Sequence, residues 1–115
     1  MIYLASPYSG TVEQMQERYL AAEASLAYWL LAGKIVYSPI VQCHALAARY
    51  EMPTDFNFWQ HYNRGMLRVA EELWLLTLDG WTESKGVTAE TTFAQQCGIP
   101  VFTLHPTMHT LRKFA

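Results

Sequence analysis

The two cysteines, Cys43 and Cys97, lie far apart and form no C-x-x-C pair. Neither a disulfide framework nor a zinc site is therefore indicated, and a reduced, cytoplasmic protein is expected. No cationic stretch precedes an apolar run at the amino terminus, and no apolar run approaches the about 20 residues needed to cross a bilayer, so neither a secretory signal nor a membrane anchor is predicted. Eight basic residues against ten acidic ones give a formal charge of −2. Without a basic stripe, long nucleic acid is a poor partner, because its binding needs many phosphate contacts. Small anionic ligands remain possible. The sequence also lacks a Walker loop, a G-x-G-x-x-G turn, an H-E-x-x-H helix, a nucleophile elbow and internal repeats.

The 115 residues allow one domain, spanning 1–115, and a chain of this length buries roughly two-thirds of its unfolded surface. Aromatic residues make up 14%, with four Trp and seven Tyr, more than a small core needs. Some of these rings are expected to line a pocket or a subunit interface.

Apolar runs at Ile2–Ala5, Lys34–Tyr37, Leu73–Leu78 and Ile99–Leu104 read as strands. Between them, Val12, Met15, Tyr19, Ala22, Leu26 and Trp29 recur at steps of three and four, which predicts a long helix that Thr11 and Gln14 open as a capping box and Gly33 ends. Ile40–Tyr50 is a short helix of weak period. Pro53-Thr54-Asp55 opens another, with Asp55 as its N-cap and Phe58, Tyr62, Met66 and Val69 on one stripe. Gly65 weakens that helix and marks a close helix crossing. A last short helix is expected over Thr107–Phe114.

Strands alternating with helices imply right-handed crossovers and a doubly wound α/β domain of three layers, α/β/α, with a parallel sheet of four to five strands in the order 2-1-3-4. That order puts the topological switch between the first and third strands, so the loops after Ala5 and Leu78 face each other across a crevice. Ser6-Pro7-Tyr8-Ser9-Gly10 supplies hydroxyls and amides to one side. Asp79, Ser84 and Glu90 come from the other, where Ser84-Lys85-Gly86 leads into a helix over Val87–Cys97. A carboxylate in the first turn of that helix is expected to be ionised by the free amides and the macrodipole. Each of these residues also has a plainer role: Asp-Gly is common turn chemistry, an early helical Glu complements the dipole, and Ser6–Gly10 is an ordinary strand-to-helix turn. Arg18 reads as a solvated surface residue unless it projects onto the Ser6–Gly10 loop. His44 reads as a structural histidine, although its place after the second strand brings it toward the pocket rim. His105 and His109 lack a third ligand, so no metal site is predicted.

Ser84-Lys85-Gly86-Val87-Thr88-Ala89-Glu90 fits the pattern S-x-G-V-x-x-E, and Ala94 and Gly98-Ile99-Pro100-Val101 follow it. This segment resembles the nucleophile segment of the nucleoside 2-deoxyribosyltransferase superfamily, which includes the 2′-deoxynucleoside 5′-monophosphate N-glycosidases. Met1-Ile2-Tyr3-Leu4-Ala5-Ser6-Pro7-Tyr8 resembles that superfamily's first strand. The likeness is closest to a small DUF1937-like branch of bacterial and phage-type proteins. It implies Glu90 as the nucleophile, Tyr3 as the group that hydrogen-bonds it, and Asp79 as the donor of a proton to the leaving base or as a ligand of a sugar hydroxyl. Ser6, Tyr8, Ser9, Gly10, Ser84 and Gly86 would bind substrate, with no cofactor and no metal. Ser84 stands where transferases acting on free nucleosides often carry Asp, which resembles the monophosphate enzymes. Tyr8-Ser9-Gly10 stands where those enzymes supply an Arg. The resemblance further implies a homo-oligomer, a dimer or tetramer, with pockets near the interface. Two other readings fit the same residues: a non-catalytic nucleotide-binding or sensing module, and an N-ribosyl hydrolase acting on another nucleotide such as NAD.

Overall fold

The computed structural model describes residues 1–114. In chain order its elements are β1 (Ile2–Ala5), α1 (Val12–Leu31), β2 (Val36–Tyr37), α2 (Pro39–Arg49), α3 (Phe56–Arg68), β3 (Glu72–Leu76), α4 (Lys85–Gln96), β4 (Val101–Leu104) and β5 (Leu111–Lys113). They form one five-stranded sheet in the order β2-β1-β3-β4-β5. The first four of these strands run parallel, and β5 pairs antiparallel with β4. Among the described residues no helix is long and apolar enough to cross a membrane.

Strand alternation divides the core into two clusters. Tyr3, Ala5, Leu73, Leu75 and Val101 face Leu67, Ala70, Val87 and Ala94, so α3 and α4 cover one side of the sheet. Leu4, Trp74, Leu76 and Leu104 face Ala22, Leu26, Trp29, Ile40 and Val41, which puts α1 and the start of α2 on the other. The three layers expected from the strand–helix alternation are present.

Helix α1 begins at the predicted capping box: Thr11 Oγ1 accepts from Gln14 N and the Gln14 amide accepts from Thr11 N. Gly33, at φ 85°, closes it with hydrogen bonds back to Leu30 and from Lys34 to Trp29.

Three expectations need correction. Residues 107–114 form no helix; Thr107 N and Met108 N donate to the His105 ring. His109 turns the chain at φ 57°, and Leu111 pairs with Leu104. Pairing with the otherwise free edge of β4 outweighs the weak helical tendency of a short segment. Phe58 and Tyr62 of α3 and Val69 at its C-cap are exposed, because Leu67 and the neighbouring Ala70 set the face that meets the sheet. Finally, a Cβ added at Gly65 would meet nothing within 4 Å, so no helix crosses closely there.

Candidate active site

The loops after β1 and β3 meet at the carboxyl edge of the sheet, and a pocket of about 700 Å3 opens between them. Its floor holds Glu90. Tyr3, fully buried in the middle of β1, points to the α4 side of the sheet and donates its hydroxyl hydrogen to a Glu90 carboxylate oxygen. The match in height arises because β1 and β3 are paired in register from Ile2 with Glu72 to Ala5 with Leu75, and α4 returns directly over them.

Helix α4 starts at Lys85, two residues before the expected Val87. Ser84 is its N-cap, with Oγ accepting from Val87 N at 3.2 Å. Glu90 therefore lies in the second turn, beyond the reach of the first-turn amides. Its carboxyl is pushed up to about 7, chiefly because burial penalises the charge, while the Tyr3 hydrogen bond pulls the other way. The expectation of a dipole-ionised first-turn acid is thus overturned: desolvation is the larger effect. Burial and the adjacent carboxylate together hold the Tyr3 phenol well above its usual range, so Tyr3 is a fixed donor.

Of the residues nominated from the sequence, Ser6, Tyr8, Ser9, Ser84, Gly86 and Glu90 line the pocket. Ser6 is 6% exposed, and its hydroxyl has no hydrogen-bond partner among the described residues. A Cβ at Gly86 would stand 3.9 Å from Phe56 and from Ser84 Oγ, an ordinary contact. Gly10 is outside the lining; a side chain there would collide with the Gln14 amide that completes the capping box. Asp79 is exposed and its carboxylate is not part of the lining. What it contributes is its carbonyl, which accepts from Arg18 Nη2 at 3.2 Å.

Arg18 does project onto the Ser6–Gly10 loop. Its Nη1 donates to Ser9 O at 2.6 Å, and it lines the pocket, bridging the two loops. Its position two turns after the cap Thr11 places it on the side of the entering loop, a phase that could have been read from the capping box. Helices α2 and α3 build a wall that includes Cys43, His44, Trp59 and Asn63, so His44 stands at the pocket toward which its place after the second strand brings it. The Tyr8 hydroxyl and His44 Nδ1 are 2.6 Å apart, and the His44 ring stacks on Tyr19 with centroids 4.3 Å apart. Asp55 occupies the N-cap position of α3 yet makes no capping hydrogen bond, and it borders the pocket as an exposed residue. Trp59 Nε1 donates to Pro53 O at 2.8 Å, and the Asn63 side-chain oxygen is buried without a partner among the described residues. No group of three or more His, Cys, Asp or Glu side chains gathers to hold a metal ion among those residues.

Residues 1–106 match the family described as "Domain of unknown function (DUF1937)". No curated protein matches the chain. The family match supports the branch named from the two motifs, whereas the wider tie to deoxyribosyltransferases rests on the motifs alone.

Proposed function

The chain belongs to the DUF1937 family, and we propose that its pocket cleaves the N-glycosidic bond of a 2′-deoxynucleoside or its 5′-monophosphate through a glycosyl ester on Glu90. The observation that carries this reading is the hydrogen bond from Tyr3 to Glu90 at the floor of the 700 Å3 pocket. A carboxylate whose one oxygen is held by a fixed donor presents the other to an incoming electrophile in a defined direction. In the first step that oxygen bonds to C1′, the C1′–N bond breaks, and the electron pair leaves with the base. Water or a second base then attacks C1′ and restores the carboxylate. A carboxyl pushed up to about 7 is partly ionised near neutrality, enough to act while remaining poorly solvated.

The rest of the lining suits a sugar and an anion. The unpartnered Ser6 hydroxyl is a donor awaiting an acceptor. Ser84 Oγ accepts from Val87 N and keeps its own hydrogen to donate. Ser9, Gly86 and the cations Arg18 and Lys85 border the same space, where the N-terminus of α4 favours negative charge. Asp79 lies outside the lining, and the proposal gives it no proton to move. The exposed Phe58 and Tyr62 of α3 and Val69 just past its end are the surface that a homo-oligomer would cover.

Incubation with the four deoxynucleoside monophosphates, with free deoxynucleosides plus a competing base, and with NAD, followed by chromatography, tests the reading. Base release or exchange that Glu90→Ala abolishes is the expected result. Nucleotide binding without turnover, unaltered in Glu90→Gln, would make the protein a binding module.

A further inference from the structure

A departing base needs a proton, and the pocket's carboxyl groups are poorly placed to supply it. Glu90 is committed to C1′, Asp79 is outside the lining, and the two remaining acids, Asp55 and Glu83, are exposed. The Tyr8–His44 pair, by contrast, lines the pocket half-buried. We infer that, in the glycosidic cleavage proposed above, on which this assignment rests, the Tyr8 hydroxyl is the acid that protonates the leaving base, and that His44 supplies Tyr8 with its proton through Nδ1.

Three features of the geometry fit that task. The hydroxyl and Nδ1 are 2.6 Å apart, a short contact between a phenol and an imidazole and short enough for a proton to pass. The rings of Tyr8 and His44 meet edge to face at 87°, and His44 is held from its other side by Tyr19, tilted only 18° from parallel. Tyr19 is fixed in turn by its hydroxyl, which donates to Glu23 at 2.8 Å. Tyr8, Cys43 and His44 line the same pocket as Glu90.

The protons balance in both half-reactions. With His44 as imidazolium, the base nitrogen takes the Tyr8 hydroxyl proton as the C1′–N bond breaks, Tyr8 takes the Nδ1 proton, and His44 becomes neutral imidazole. In the second half, water bonds to C1′, the bond from C1′ to Glu90 breaks, and the released proton returns through Tyr8 to Nδ1. His44 never touches the substrate; it acts through Tyr8.

The leaving group decides the matter. Rates would be compared for a deoxynucleotide and for a 2-deoxyribosyl donor that releases 4-nitrophenolate, an anion stable without protonation. Read in the first turnover, before water resolves the ester, base release from the deoxynucleotide should fall about 100-fold or more in Tyr8→Phe and in His44→Gln, while nitrophenolate release, a step that takes no proton from Tyr8, changes little. Retained nitrophenolate release also shows that each variant folds. Equal losses on both donors would make the pair structural, and unchanged rates on both would remove it from the chemistry; either result overturns the assignment while the Glu90 reading stands. A native protein inert on both donors would overturn the glycosidase reading and this assignment together.

Discussion

Tyr3 and Glu90, 87 positions apart in sequence, share one hydrogen bond that ties the first strand to the helix following the third. The pair sets an acid whose ionisation is governed by two opposed influences, burial raising it and the phenol lowering it.

The first prediction is a stability that falls as pH rises. The Glu90 carboxyl goes from an ordinary value of 4.5 to about 7 on folding. Between those values the unfolded chain has released a proton that the folded chain still binds, so stability declines through this window and levels off above it. Glu90→Gln removes the effect. The variant should unfold at the same temperature as the native protein at pH 4 and be more stable at pH 8 by about 2 kcal/mol, less than the full shift because the side chain keeps some solvent. Thermal unfolding at the two pH values measures the difference.

Tyr3→Phe takes away the one influence that favours the carboxylate. The Glu90 carboxyl, pushed up to about 7 in the native protein, should ionise at a still higher pH, and any base release that depends on ionised Glu90 should set in at a correspondingly higher pH. A rate–pH profile of both proteins, or an NMR titration of the carboxyl carbon, checks this.

Two glycines should respond in opposite directions to alanine. Gly80 sits at φ 85° and a Cβ there would stand 3.0 Å from Arg18 Nη2, so Gly80→Ala should cost more than about 1 kcal/mol and displace the guanidinium. Gly65 has open space around it inside α3, and Gly65→Ala should gain about 0.5–1 kcal/mol. Chemical denaturation of each variant gives both values.

Ser84 carries two roles that substitution can separate. Ser84→Ala loses the cap on Val87 and should cost about 1 kcal/mol. Ser84→Asp keeps a capping oxygen and should restore that stability, yet its charge should weaken a 5′-monophosphate about tenfold or more while sparing the free nucleoside. Binding of the two ligands to the two variants, beside their unfolding curves, distinguishes cap from anion contact.

Much of the fold was legible because the signals were local. Continuous apolar runs marked the buried parallel strands, and the Thr11–Gln14 box and Gly33 bounded α1 within a residue or two. The strand order followed from the alternation of elements, and with it the meeting of Tyr3, the Ser6–Gly10 loop and Glu90. What escaped the sequence depends on neighbours distant in the chain. Strand β5 exists because β4 offers an edge. His44 could be placed toward the pocket rim from its position after the second strand, but that it shares one wall with Cys43 and with Asn63 of α3 is a convergence of two helices with no common motif. Desolvation of Glu90 depends on what packs above it, and no spacing along α4 records that.

The two borders of the sheet limit how copies of this chain can associate. One border is β2, only Val36–Tyr37; the other is β5, three exposed residues that include Arg112 and Lys113. Short, charged margins are poor templates for a further strand. Growth of the sheet from one molecule into the next is thereby discouraged at both ends.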